Sequence, residues 1–369
     1  MKIRGCKVLL RRQLGVGPKM FSLLGLSFFC VSCQWLPEKG NLSTGNLIEE
    51  NLPIALEKPL GLSGKKSFGL YQWDKNHSYQ TGLLSDIALL GTQPAYVIYF
   101  VDLERGFPDE IIRFNAKNHI KTLVTQELSL YSQGWNDHIL PEISAGKWDA
   151  YFKSFALSAR KFPGTVFYRF GYEMNGDWVA WGEQPTAFKA AWRHVWDLFN
   201  REKVHNVKWV WSPNVLWGDR VFEEAILPFY PGERYTDFIG LDGYNFGEHH
   251  NQYHTWQSFD QVFTSSIAGM KKYFPKKRLW LTEVGCADDE RKAEWIKNFL
   301  TAFNKDPELP MFIWFNEDKK YAGEPNWRFD SDQESKSRFR NWAIFSNSIT
   351  SFSLPEYRVS MVKPLTPTL

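Results

Sequence analysis

Eight short apolar runs, separated by stretches of helical periodicity, constrain this chain more than any other feature. The runs are 68–73, 95–101, 120–125, 166–170, 207–211, 238–241, 278–281 and 311–315. Each is rich in β-branched or aromatic residues and too short for a core helix, so each reads as a buried parallel strand. Amphipathic stretches lie between them at 148–160, 185–202, 258–274 and 290–303. The stretch from Pro185 carries Phe188, Trp192, Val195, Trp196 and Phe199 on one side. Eight strands alternating with helices over about 250 residues is the count of a single (β/α)8 TIM barrel, an α/β fold. A doubly wound sheet is the competitor, but no Gly-x-Gly-x-x-Gly follows the first run.

The flanks read differently. Six basic residues (Lys2, Arg4, Lys7, Arg11, Arg12, Lys19) precede a short apolar core at 20–31, the layout of an export signal rather than a membrane span. Val31-Ser32-Cys33 is similar to the end of a bacterial lipobox, with Cys30 where Leu is usual, so Cys33 is a candidate for acylation and membrane attachment. Plain secretion stays open beside it. The expected organisation is a signal segment over 1–33, a linker over 34–63, the barrel over 64–345 and a tail over 346–369. Removing the six leading basic charges takes the chain from +3 to −3, which argues against a nucleic-acid partner. Of Cys6, Cys30, Cys33 and Cys286, only the last lies in the body, so the barrel has no internal disulfide.

Polar and aromatic residues gather where the predicted strands end, the place where barrels of this kind carry their chemistry. The stretch 165–182 is the densest. Its strand runs into Arg169, Tyr172, Glu173 and Asn175, then Trp178 and Trp181, flanked by Gly176 and Gly182. A carboxylate, an amide and two indoles together suit a ring-shaped polar ligand such as a sugar. Glu283 ends strand seven, across the barrel from Glu173. Two carboxyls in one cleft suit glycosidic bond cleavage, with one as acid and the other as nucleophile or base.

Arg169-Phe-Gly-Tyr-Glu-Met-Asn-Gly-Asp-Trp-Val-Ala-Trp-Gly182 resembles the acid/base motif of glycoside hydrolase family 26, the β-mannanase family of retaining glycosidases. Similar blocks follow at 209–214, 230–245 and 281–285. The resemblance implies a retaining endo-glycanase acting on a β-linked polysaccharide, with Glu173 as acid/base and Glu283 as nucleophile. It also implies that Tyr244 hydrogen-bonds the nucleophile, that Arg169 lies beneath the acid/base, and that Trp178 and Trp314 line the subsites. Tyr172 stands where the family usually has His, beside the sugar at the cleavage site, so β-1,3-1,4-glucan or another β-glycan competes with mannan. A silent carbohydrate-binding barrel is the reading from another class.

From these roles a retaining carboxyl separation of about 5–5.5 Å is expected. Trp178 and Trp314 are expected to face the cleft, and Trp192 and Trp196 to pack on the barrel wall. Asn175 is a further candidate substrate contact. Glu127, after strand three, offers either a sugar contact or a rim salt bridge, and Trp73, Trp181 and Trp217 are candidate platforms. His249, His250 and His254 lack the acidic or thiolate partners of a metal site, so neither metal nor cofactor is expected. Ser212 lies outside any Gly-x-Ser-x-Gly elbow, and the chain is expected to act as a monomer.

Overall fold

The computed structural model describes residues 66–73, 77–248 and 255–348. Its centre is a closed barrel of eight parallel strands in sequence order. They are β1 (Ser67–Gln72), β2 (Tyr96–Val101), β3 (Lys121–Gln126), β4 (Val166–Phe170), β5 (Val207–Trp211), β6 (Phe238–Asn245), β7 (Arg278–Cys286) and β8 (Met311–Asn316). β8 returns to β1 over the full length of both strands, Ser67 against Met311 through Gln72 against Asn316. The two-residue alternation of a strand then sorts each side chain. Ile98, Leu123, Phe167, Val210, Trp280, Met311 and Ile313 fill the barrel's interior. Val124, Tyr168, Phe170, Trp211, Leu281, Phe312 and Trp314 face the helices.

The helices are α1 (Tyr79–Leu90), α2 (Asp109–Lys117), α3 (Ile139–Ser144), α4 (Asp149–Lys161), α5 (Pro185–Arg201), α6 (Phe222–Ala225), α7 (Phe259–Tyr273), α8 (Lys292–Lys305) and α9 (Gln333–Ser348). α5 starts with Pro at its first turn, where a missing N–H costs nothing. Trp192 lies against Phe170 at 5.8 Å and Trp209 at 5.3 Å, on the barrel wall as expected. Trp196 is half-buried and packs on Tyr235 instead. α7 begins with a capping box, Ser258 and Gln261 each satisfying the other's backbone N–H. α9 continues past residue 345, so the expected tail boundary falls inside a helix whose Phe339 packs on Phe312 and Trp314. The lipobox-like Cys33, the linker and the three loop histidines lie outside the described residues.

One irregularity sets the direction of the side chains at the end of β7. β6 pairs with β7 as Leu241 to Leu281 and then Asp242 to Glu283, a shift of one residue. The register between β7 and β8 shifts at the same place, between Leu281 and Val284. Leu281 and Val284 both pack in the layer between barrel and helices, so two residues rather than one lie between outward positions. This bulge turns Thr282 and Glu283 inward together; in a regular strand only one of them would face the barrel.

Candidate active site

The site is built at the C-terminal ends of β4 to β7. Alternation along β4 places Phe167 and Arg169 inside the barrel. Arg169 is fully buried, and its Nη1 donates to both carboxylate oxygens of Asp242 at 3.0 Å. Its Nη2 donates to Glu283 Oε1, and its Nε donates to Thr125 Oγ1 at 3.0 Å. Burial works against the guanidinium's charge, but Asp242 and Glu283 outweigh it and its pKa is raised. Tyr244 Oη donates to Glu283 Oε2. Burial, then the Glu283 charge, raises the Tyr244 pKa and keeps the phenol a donor. Glu283 therefore has a donor on each oxygen.

β4 ends in a sharp turn. Gly171 has φ 57° and Glu173 has φ 49°, both in the left-handed region. For Glu this is an uncommon backbone state, held here because its N–H donates to the Ser212 carbonyl at 2.9 Å. The turn places the Glu173 carboxyl against β5 rather than β3. Asn214 Nδ2 donates to Glu173 Oε1 at 2.7 Å, and Trp178 Nε1 donates to Oε2 at 2.5 Å. Gly176 makes room for that indole, and Gly182 makes room for the Gly176 carbonyl. A Cβ at Gly176 would sit 2.4 Å from the Trp178 ring, and one at Gly182 would sit 1.9 Å from the Gly176 carbonyl oxygen. Burial raises the Glu173 pKa from 4.5 to about 7, the charge of Glu283 adds to this, and Asn214, Trp178 and Arg169 oppose it.

The expected site residues separate into three groups. Glu173, Glu283, Arg169 and Tyr244 come together as described, and Trp178, 42% exposed, presents one face at the mouth. Trp217 stands 5.2 Å from it, with Arg220 over the Trp217 ring at 4.1 Å. Asn175 is buried and clamps Asn214: its Nδ2 donates to the Asn214 carbonyl at 3.0 Å and its Oδ1 accepts from the Asn214 N–H at 2.8 Å. Asn175 is thus a positioning residue rather than a substrate contact, and Arg169 likewise spends its donors on protein. Tyr172 Oη donates to Glu127 Oε1 at 3.1 Å, and Trp181 is buried with its Nε1 on the Tyr172 carbonyl at 2.7 Å.

Trp314 is a correction. It is 0% exposed, donates to the Trp327 carbonyl at 2.9 Å and packs against Trp295 and Phe339 in the helix layer. Period two along β8 is the reason: Ile313 faces the barrel, so Trp314 must face out. The aromatic beside Tyr244 is Trp327, at 4.9 Å. Trp327, Asn214 and Asp242 are functional neighbours that the sequence pattern did not single out, although the last two lie within the blocks that carry the resemblance. Among the described residues no group of three or more potential metal ligands exists, and no helix is long and apolar enough to cross a membrane. Cys286 is a buried free thiol with its pKa pushed up to about 12 by burial.

A parallel eight-stranded barrel carrying two buried carboxyls at one mouth, one against an indole and the other against Arg and Tyr, defines the class. Residues 156–277 match the model of glycosyl hydrolase family 26. It is 29% identical over 296 residues to Endoglucanase H of Acetivibrio thermocellus, a match spanning 74% of this chain and 31% of the relative. It is 32% identical over 117 residues to Mannan endo-1,4-beta-mannosidase A and B of Caldalkalibacillus mannanilyticus, spanning 28% and 22%. The chain thus spans less than a third of the length of these relatives. A GH26 β-mannanase of Bacteroides ovatus has the same fold at TM-score 0.54 and 18% identity, over 77% of this chain and 89% of its own. A Cellulomonas fimi endo-β-1,4-mannanase superimposes at TM-score 0.58 and 16% identity, over 76% and 70%.

Proposed function

We propose that this chain is a retaining, endo-acting glycoside hydrolase of β-linked polysaccharide, with β-1,4-mannan as its substrate. The observation that carries the reading is the unlike surroundings of the two carboxyls. Glu173, held near pH 7 by burial and by Glu283, keeps a proton to give. Glu283 instead accepts a hydrogen bond on each oxygen, from Arg169 and from Tyr244. In the first step Glu283 attacks the anomeric carbon while Glu173 passes its proton to the departing glycosidic oxygen, leaving a glycosyl ester on Glu283. In the second step Glu173, now a carboxylate, takes a proton from water as the water oxygen attacks the same carbon. Glu283 leaves, and the configuration is retained. Two displacements of this kind need the carboxyls about 5–5.5 Å apart.

Soluble polysaccharides offered side by side test the reading: reducing ends are expected from galactomannan or glucomannan, and none from any neutral β-glycan would end it. A β-1,3-1,4-glucanase is the second reading. The Endoglucanase H match spans 74% of this chain, against 28% for the mannosidase, and Tyr172 fills the usual His position. Faster release from mixed-linkage β-glucan than from mannan would select it. We further propose that the enzyme is exported and lipid-anchored through Cys33, which an acyl mass on the mature N-terminus tests.

The Glu173 proton sets the pH profile. The protonated fraction falls as pH rises through about 7, so kcat/KM is expected to lose its alkaline limb there. Asn214 donates to the carboxylate and lowers this pKa. Asn214→Ala is therefore expected to move the alkaline limb up by about one pH unit, the weight of one hydrogen bond to a charged group. An unmoved limb in a pH–rate series would remove Glu173 as the group that titrates.

A further inference from the structure

Two acids at the barrel mouth, one half-buried and one buried, have no part in the chemistry above. Glu127 follows β3 and accepts from Tyr131 Oη at 2.7 Å and from Tyr172 Oη at 3.1 Å. Glu317 follows β8, is buried, and accepts from Tyr321 Oη at 2.7 Å. Burial raises the pKa of both. Lys319, whose charge reaches each of them, is tied to Glu324 at 2.6 Å. Both acids act on the Tyr71 phenol near the end of β1, as Glu283 does: after burial, Glu317, Glu127, Tyr321 and Glu283 all raise its pKa.

Above them stand two exposed rings. Trp73, at the end of β1, is 44% exposed, and Tyr321, in the loop after β8, is 62% exposed. Their centroids are 5.7 Å apart. The Trp178–Trp217 pair stands at the ends of β4 and β5, across the closed barrel from β1 and β8. An acid/base must sit beside the leaving-group oxygen, so Trp178, bonded to Glu173, marks the leaving-group side. Trp73 and Tyr321 then mark the side of the sugars that stay on the nucleophile.

We propose that Trp73, Tyr321, Glu127 and Glu317 form a glycone-side binding site that takes neutral hexose units and turns away uronates. The proposal rests on the glycoside-hydrolase reading. The rings supply flat apolar faces for the sugar's C–H surface. An ionised carboxyl has about four acceptor positions, and the tyrosines fill only some of them, which leaves others for hydroxyl pairs. A uronate would add a negative charge beside two acids whose neighbouring lysine is already paired, in a site where water screens poorly.

The test compares neutral mannan with the same mannan oxidised at C6, and long manno-oligosaccharides with an activated aryl mannoside. Trp73→Ala is expected to raise KM for the long substrates about tenfold, the usual weight of a stacking anchor, and to raise KM for the aryl mannoside far less. Wild type is expected to cleave the parent mannan and spare the oxidised one, while Glu127→Gln/Glu317→Gln narrows that gap at least tenfold. An unchanged KM in Trp73→Ala, or equal cleavage of both polymers by wild type, overturns the site. If mixed-linkage β-glucan is the substrate, the same comparison uses that polymer and its oxidised form. If wild type cleaves no neutral glycan, the hydrolase reading fails separately, and affinity electrophoresis in mannan and β-glucan gels decides. Retardation lost in Trp73→Ala then sustains the site, and no retardation of wild type overturns it as well.

Discussion

Glu283→Ala is expected to lose cleavage of both polysaccharide and aryl glycoside, by about 10⁵-fold or more. No other carboxylate replaces it as nucleophile: the neighbouring Asp242 has both oxygens on Arg169 and lies at the floor of the site, fully buried. Glu173→Ala should behave differently. A poor leaving group needs its proton, but an acidic phenol departs without one, so an aryl glycoside with such a phenol should still form the glycosyl ester. The second step then stalls for want of a base. Azide, small enough for the space beside Trp178 and Asn214, should speed that step and yield a glycosyl azide of retained configuration. Initial rates, the burst of phenol and the anomeric configuration of the azide product read all three outcomes. Identical responses of the two variants to leaving group and azide would reverse or cancel the roles given to these residues.

Arg169→Met carries the second large effect, and it acts on stability as well as rate. The guanidinium is the shared partner of Asp242 and Glu283, and all three are buried. Removing it leaves two carboxyls facing each other in a dry site, which costs about 3–5 kcal/mol and lowers Tm by about 10 °C. The sign with pH follows from linkage. Without Arg169 the two carboxyls bind protons more readily in the fold than in the unfolded chain, so the variant loses stability as pH rises and recovers part of it in acid. Thermal melts at acid and neutral pH measure this directly. A pH-independent drop would mean that packing, not charge, is what Arg169 supplies. Activity should fall with it, because a protonated Glu283 is no nucleophile.

Much of the barrel is legible in the sequence. The apolar runs locate all eight strands because parallel strands covered on both faces must be apolar along their length. 166–170 and 207–211 coincide with β4 and β5 residue for residue, and the other runs fall short mainly at the C-terminal ends of β6 and β7. Those ends are polar, so an apolar run stops before the strand does. The bulge at Thr282–Glu283 leaves no mark in composition, yet it decides which way Glu283 points. Trp314 shows the opposite failure: an aromatic near a strand end invites a cleft role, and only the parity of its strand settles its face. Asn175 and Asn214 are a different case. An amide beside a catalytic acid reads as a sugar contact, but the two asparagines hold each other and only one reaches Glu173. α9 escapes notice because its polar face outweighs its apolar one, and its buried Phe339 and Trp342 meet aromatics far away in sequence.

The left-handed backbone at Glu173 also restricts how this position drifts in descendants of the chain. The turn is fixed by Gly171, by the bond from the Glu173 N–H to the Ser212 carbonyl and by the close-packed glycines that follow, none of which depends on the carboxyl. A lineage that abandons catalysis but keeps the barrel therefore still needs a residue tolerant of positive φ at 173. Gly, Asn and Asp meet that demand, whereas Val, Ile and Thr carry a branch at Cβ that clashes there. Silent barrels derived from this one should thus be recognisable by Gly, Asn or Asp at 173, and a β-branched residue there would signal that the turn itself has been rebuilt.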